Sequence, residues 1–176
     1  MNKKVILDAC CAGRMFWFNK QHPNALYIDK RAEEKGFVSQ RPSYEVQPDE
    51  IMDFRDLKFP DKSFKLVVFD PPHIMRIGNK SWMSQKYGML DRNWEKDLAK
   101  GFSECWRVLE DYGVLIFKWS ESEISCRKVL SPRHIWPSQP RTRQPLADQT
   151  SHHLSEEVSD RPSASLQHHS SLLCIS

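Results

Sequence analysis

A chain of 176 residues, 39% of them hydrophobic, is long enough for one domain with its own core. Its net charge of +3 and pI near 8.6 are compatible with a nucleic-acid partner without demanding one. No apolar run approaches the roughly 18 residues of a membrane span, which argues against a membrane partner.

In chain order, "MNKKVILDACCAG" opens with two lysines before apolar residues. Asp8 interrupts that stretch after three residues, so it does not read as a signal peptide. "KKVILDAC" reads instead as a first strand, and "AGRMFWFNK" as a short helical or turn segment. "NALYIDK" is a second strand ending in Asp29, and "SYEVQPDE" a weak third limited by Pro48. "KLVVFD" is a fourth, a compact apolar block of the kind buried in parallel sheets, and it runs into Pro71, Pro72 and His73. "YGVLIFKW" is a fifth, with Gly113 serving the turn into it. Between the last two, Trp94, Leu98, Phe102, Cys105 or Trp106, and Leu109 fall on one face of a helix with Asn93 as its N-cap. Strand and helix alternation of this kind predicts a parallel α/β sheet with right-handed crossovers.

Composition changes near Ser125. All six glycines and eighteen of nineteen aromatic residues precede it, Trp136 being the exception. Residues 126–176 hold five of seven histidines and ten serines; "SESEISCRKVL" begins a helix, but the stretch 131–171 shows neither helical nor strand period. A domain at 1–125 with a low-complexity, disordered tail at 126–176 is the expected organisation. The tail pairs His152, His153 and His168, His169 read as solvated residues rather than a metal site, so no metal is expected. The five cysteines show no CxxC pair, and an odd count without an export signal predicts reduced thiols and a cytoplasmic location.

Asp8, Asp29 and Asp70 each close an apolar block, and Asp53 follows the third strand. In a parallel sheet such ends converge on one edge, so these acids are expected around one crevice, where ligands of α/β sheets bind. The series "VILDACCAG", "YIDKR", "IMDFRDL" and "VVFDPPH" resembles the class I S-adenosylmethionine (SAM)-dependent methyltransferases. It is most similar to small phage and prophage enzymes with an "LDACCG-R-MFWF" start and a "VFDPPH" centre. The likeness covers roughly residues 3–124. It implies a Rossmann-like sheet of order 3-2-1-4-5 and SAM as cofactor. By that likeness Asp8, Ala9, Cys10 and the turn through Gly13 approach the methionine part, Asp29 the ribose hydroxyls, and Asp53 and Phe54 the adenine. Gly13 would let the chain pass close to the cofactor. The run Asp8-Ala-Cys-Cys-Ala-Gly13 departs from the G-x-G turn of many such enzymes.

The stretch Asp70-Pro71-Pro72-His73 resembles the motif of amino-directed methyltransferases. The implied roles are acceptance of one amino hydrogen by Asp70 and the other by the Pro71 carbonyl, with Pro72 stiffening the loop and His73 stacking on a planar target. The expected activity is methyl transfer to an amino nitrogen, adenine N6 or cytosine N4 of a nucleic acid foremost. A protein glutamine or small molecule is the alternative substrate, and an inactive remnant or binding module the alternative class. The following loop interleaves Lys80, Trp82, Lys86 and Tyr87, which suits a nucleic-acid strand or a lid packed on the core. The antiparallel hairpin that usually follows the fifth strand is missing, and the tail reads as a replacement for it. "GVLIFKW" is therefore expected to be an exposed edge.

Overall fold

The apolar blocks ended by acids become strands of one sheet. The computed structural model describes residues 3–78, 80–131 and 171–175. Ile6–Asp8 forms β1, Ala25–Asp29 β2, Glu50–Ile51 β3, Phe64–Phe69 β4 and Leu109–Lys118 β5. With a sixth strand, β6 (Ser171–Ile175), they give the order β3-β2-β1-β4-β5-β6, every ladder parallel. The α/β class and the expected order of the first five strands are those of a Rossmann-like sheet. β1 lies between β2 and β4, with Leu7 in register with Leu26 on one side and Val67 on the other. Leu7, Val67, Val68 and Phe69 are inaccessible to solvent, which is why these blocks carry apolar residues without alternation.

Among the described residues three helices accompany the sheet: α1 (Trp82–Tyr87), α2 (Trp94–Val108) and α3 (Cys126–Val129). On α2 the residues Trp94, Leu98, Gly101, Phe102, Cys105 and Val108 are buried, the face its period predicts. The Phe102 ring meets Phe69 at 5.3 Å and Phe117 at 4.9 Å, so α2 is seated on β4 and β5 through aromatic contacts. A Cβ on Gly101 would stand 2.6 Å from Phe54 and 2.7 Å from Phe69, so this glycine lets the helix approach both rings.

Several expectations change. Asn93 occupies the N-cap position without a side-chain capping bond, while Glu95 and Asp97 put negative charge in the first turn. Leu109 begins β5 rather than ending α2. Gly113 lies inside β5, at an irregularity where the ladder passes from Phe64↔Leu109 to Leu66↔Val114. There Tyr112 has φ 64°, and a Cβ on Gly113 would stand 2.7 Å from the Leu109 side chain. Of the two readings for "AGRMFWFNK", helix or turn, the structure takes the turn, since Ala12 (φ 43°) and Arg14 (φ 54°) leave the right-handed region.

The largest correction concerns the tail. β5 is not an exposed edge, because β6 pairs with it from Val114↔Ser171 to Lys118↔Ile175. Within the segment expected to be a disordered tail this strand is ordered, while α3 is the helix that "SESEISCRKVL" was read to begin. The four apolar residues of "SLLCI", Leu172 to Ile175, were hidden by the polar composition averaged around them. The tail histidines and Trp136 lie outside the described residues. Among the described residues no helix is long and apolar enough to cross a membrane.

Candidate active site

The carboxyl ends of β1, β2 and β4, with the chain after β3, enclose a cleft of about 400 Å³ that is partly open to solvent. It crosses the point where the strand order reverses between β1 and β4, where open α/β sheets hold their ligands. Ala9, Cys10 and Ala12 line it from the turn after β1, and Asp29, Lys30 and Arg31 from the end of β2. Phe54 follows β3, Asp70 and Pro72 follow β4, and Tyr87 and Gly88 close it from the end of α1.

Asp29 is the fixed point of one wall. Its Oδ2 accepts the Ala12 N–H at 3.0 Å, and its Oδ1 accepts the Arg31 N–H at 2.9 Å. The first bond holds Ala12 in its left-handed conformation, a conformation that glycine-rich versions of this turn reach without strain. Small residues at 9, 10 and 12 keep the turn close to the cleft. Burial pushes the Cys10 thiol well above its ordinary value, so it lines the wall as a neutral group.

Gly13 serves a different purpose from the one expected. Its N–H donates to the Tyr44 hydroxyl at 3.0 Å, and a Cβ there would stand 2.3 Å from the Tyr44 ring. The missing side chain makes room for this tyrosine, whose hydroxyl in turn donates to the Lys86 carbonyl at 3.1 Å. Arg31 reaches the same helix end, donating to the Gln85 carbonyl at 2.9 Å. Tyr44 and Arg31 thus tie α1 to the β1 and β2 ends, which makes α1 a closing wall. Neither was singled out from sequence, although Arg31 stands in the quoted "YIDKR".

Asp8 does not line the cleft. It is 1% exposed beneath it, with Oδ2 accepting the Trp17 indole N–H at 2.7 Å and Oδ1 the Cys10 N–H at 3.3 Å. Loss of hydration pushes its carboxyl up to about 7, against the two hydrogen bonds and with the repulsion of Asp70 and Asp29. Asp53 likewise turns away, since Arg55 pairs with it at 2.6 Å and with Asp97 on α2 at 3.0 Å. Of the expected adenine pair only Phe54 faces the cleft, held there by its edge-to-face contact with Phe69 at 5.2 Å.

On the opposite wall Asp70 is paired with Lys118 at the end of β5, whose Nζ lies 2.9 and 3.2 Å from the two carboxylate oxygens. Lys118 was missed. The signal was present, because it closes an apolar strand just as the acids do. Pro71 is buried and Pro72 lines the cleft, with a Cβ on Gly88 only 3.1 Å from its ring. The loop continues on a fixed path, since the N–H groups of Met75 and Arg76 donate to Glu123 at 2.9 and 3.1 Å.

His73 is not among the cleft residues. Its ring packs 6.2 Å from Tyr87 and 6.1 Å from Trp119, and its Nδ1 is buried without a hydrogen-bond partner. Burial lowers its pKa, so the ring is neutral at pH 7 and acts as packing behind Tyr87. The aromatic face presented to the cleft is Tyr87 itself. Of the other loop residues, Lys86 is buried over the Tyr44 and Tyr87 rings and Trp82 lies under Arg41. Lys80 is exposed. The loop therefore packs as a lid rather than standing free.

Comparison of the chain with protein-family models, with curated proteins and with solved structures gives no match.

Proposed function

We propose that the cleft binds SAM and that the protein transfers a methyl group to an amino nitrogen, with adenine N6 or cytosine N4 of a nucleic acid as the leading targets. One observation carries this reading: Asp29 and Asp70 face a single cleft from opposite sides of the strand-order reversal. The donor set suits the cofactor. Asp29 keeps acceptor capacity for a vicinal diol, Phe54 offers an apolar ring to a purine, and the small residues Ala9, Cys10 and Ala12 let the backbone approach. When bound, the sulfonium supplies an electrophilic methyl group.

The chain's own residues then have positioning roles. An amino group on a base is a poor nucleophile because its lone pair is delocalised. Asp70 accepts one of its hydrogens, favouring a pyramidal nitrogen with the lone pair turned into the cleft. The Pro71 carbonyl is the second acceptor in this reading. Two successive prolines fix φ, so the acceptors need little reorganisation. Tyr87 takes the stacking role first expected of His73, an interaction worth roughly 1–3 kcal/mol per base. A target in duplex DNA would have to be extruded first.

The Lys118 ammonium on both Asp70 oxygens favours a second reading, in which the chain keeps the SAM crevice but lacks turnover. Calorimetric titration with SAM, followed by transfer of labelled methyl to DNA, RNA and protein, separates the two. Absence of SAM binding removes both. Binding without transfer to any of the three supports the binding module, and transfer to protein alone moves the substrate to a glutamine amide.

A further inference from the structure

We propose that Cys126 and Cys174 form a reversible disulfide that fastens β6 to α3, with a small-molecule disulfide such as oxidised glutathione as the oxidant. The two sulfurs stand 3.0 Å apart, about 1 Å beyond the ~2.05 Å of an S–S bond. Each is brought there by its own element. Cys126 opens α3, with its N–H on the Glu121 carboxylate at 2.7 Å and its carbonyl accepting the Leu130 N–H at 2.7 Å. Cys174 sits in β6 in register with Phe117. Strand alternation leaves the neighbouring Leu173 53% exposed and turns Cys174 onto the core, where Cys126 and Leu130 also pack. Both thiols are half-buried, within reach of a small oxidant.

The exchange balances without a metal or enzyme. The thiolate of one cysteine attacks a sulfur of oxidised glutathione and expels one glutathione thiolate, which takes up the proton. The second cysteine attacks the protein-bound sulfur and expels the second glutathione. Two protein S–H groups become one S–S bond, and one glutathione disulfide becomes two thiols. Burial and the hydrogen bond between Cys126 and Cys174 push the Cys126 thiol up to about 12, so the exchange accelerates as pH rises through neutrality. Cys11 and Cys105 are 4% and 0% exposed, so they remain reduced in the folded chain and serve as internal controls.

The bond would join residues on either side of segment 132–170, adding a covalent tie to the ladder and core packing of β6. It needs no assumption about the cleft. The test is to equilibrate the full chain in graded ratios of reduced to oxidised glutathione, block free thiols, digest with trypsin and weigh the peptides. The expected product is peptide 119–127 linked to peptide 144–176, lost again on treatment with dithiothreitol. Its formation should raise Tm by about 5–10 °C over the reduced chain. Cys126→Ser and Cys174→Ala should melt with the reduced wild type and show no rise on oxidation. If a variant fails to fold, the wild-type cross-link and its Tm shift still decide. Stable glutathione adducts on either cysteine, cross-links to Cys10, Cys11 or Cys105, or no oxidation at all would overturn the proposal.

Discussion

The two acids that face each other across the cleft are held differently. Asp29 is 7% exposed and is gripped by the backbone N–H groups of Ala12 and Arg31, with the Arg31 guanidinium at 3.4 Å itself anchored on the Gln85 carbonyl. The Asp70 side chain is 24% exposed and is gripped by the Lys118 ammonium, itself 42% exposed. Backbone donors cannot leave without undoing the turns they belong to. An ammonium on a flexible four-carbon stem can swing aside. Under the proposed function, the Asp29 wall suits a ligand that stays in place. The Asp70 wall suits one that displaces a partner and departs.

Removing the exchangeable acid is the sharpest way to break this contrast. Asp70→Ala is expected to lower methyl transfer by about 10²–10³-fold while SAM affinity stays within about twofold, read by single-turnover rates and calorimetry. A parallel loss of SAM binding would mean that the two walls are not separate in function.

Asp8 lies under both walls and tests their common footing. Its carboxyl is pushed up to about 7 in the fold from an ordinary 3.8, so the folded protein keeps a proton that the unfolded chain loses above about pH 4. Its contribution to stability is best below pH 4, declines as pH rises from about 4 to 7, and is constant above. Asp8→Asn keeps an acceptor for the Trp17 indole and has no charge to bury. It is expected to be more stable than wild type at pH 8 by about 2–4 kcal/mol, with the gap closing toward pH 4. Urea unfolding of both proteins across that range measures it, and a gap independent of pH would contradict the burial of a titrating carboxyl.

On the fixed wall, Asp29→Ala is expected to weaken SAM binding by roughly 10–100-fold, the cost of hydrogen bonds to a charged acceptor. Unchanged affinity would move the ribose contact elsewhere. The smallest effect belongs to the swinging partner. Lys118→Met should raise turnover by only about two- to fivefold, because the displaced ion pair is partly exposed and contributes little, and Lys118→Arg should return it to the wild-type level. A loss of turnover would show that Lys118 orients Asp70 instead of being displaced from it.

β1, β2, β4 and β5 could be read in the chain because each is a local apolar block, and α2 because its apolar face repeats at the helical period. Asp29 and Asp70 could be read as cleft residues because their blocks end on the same edge. The same logic misplaced Asp8 and Asp53, since position at a strand end does not fix where a side chain turns. Trp17 and Arg55 settle those directions. Gly13 was legible as a residue that needs no side chain, but the neighbour requiring the space is Tyr44, thirty-one residues away. The order of strands 3-2-1-4-5 was implied by the resemblance to class I methyltransferases, because local pattern marks each strand but not its neighbours in the sheet. β6 beside β5, Lys118 against Asp70 and Cys174 against Cys126 were decided only in the tertiary structure. Each joins residues 48 or more positions apart, or strands from opposite ends of a polar segment, and no local period records such a meeting.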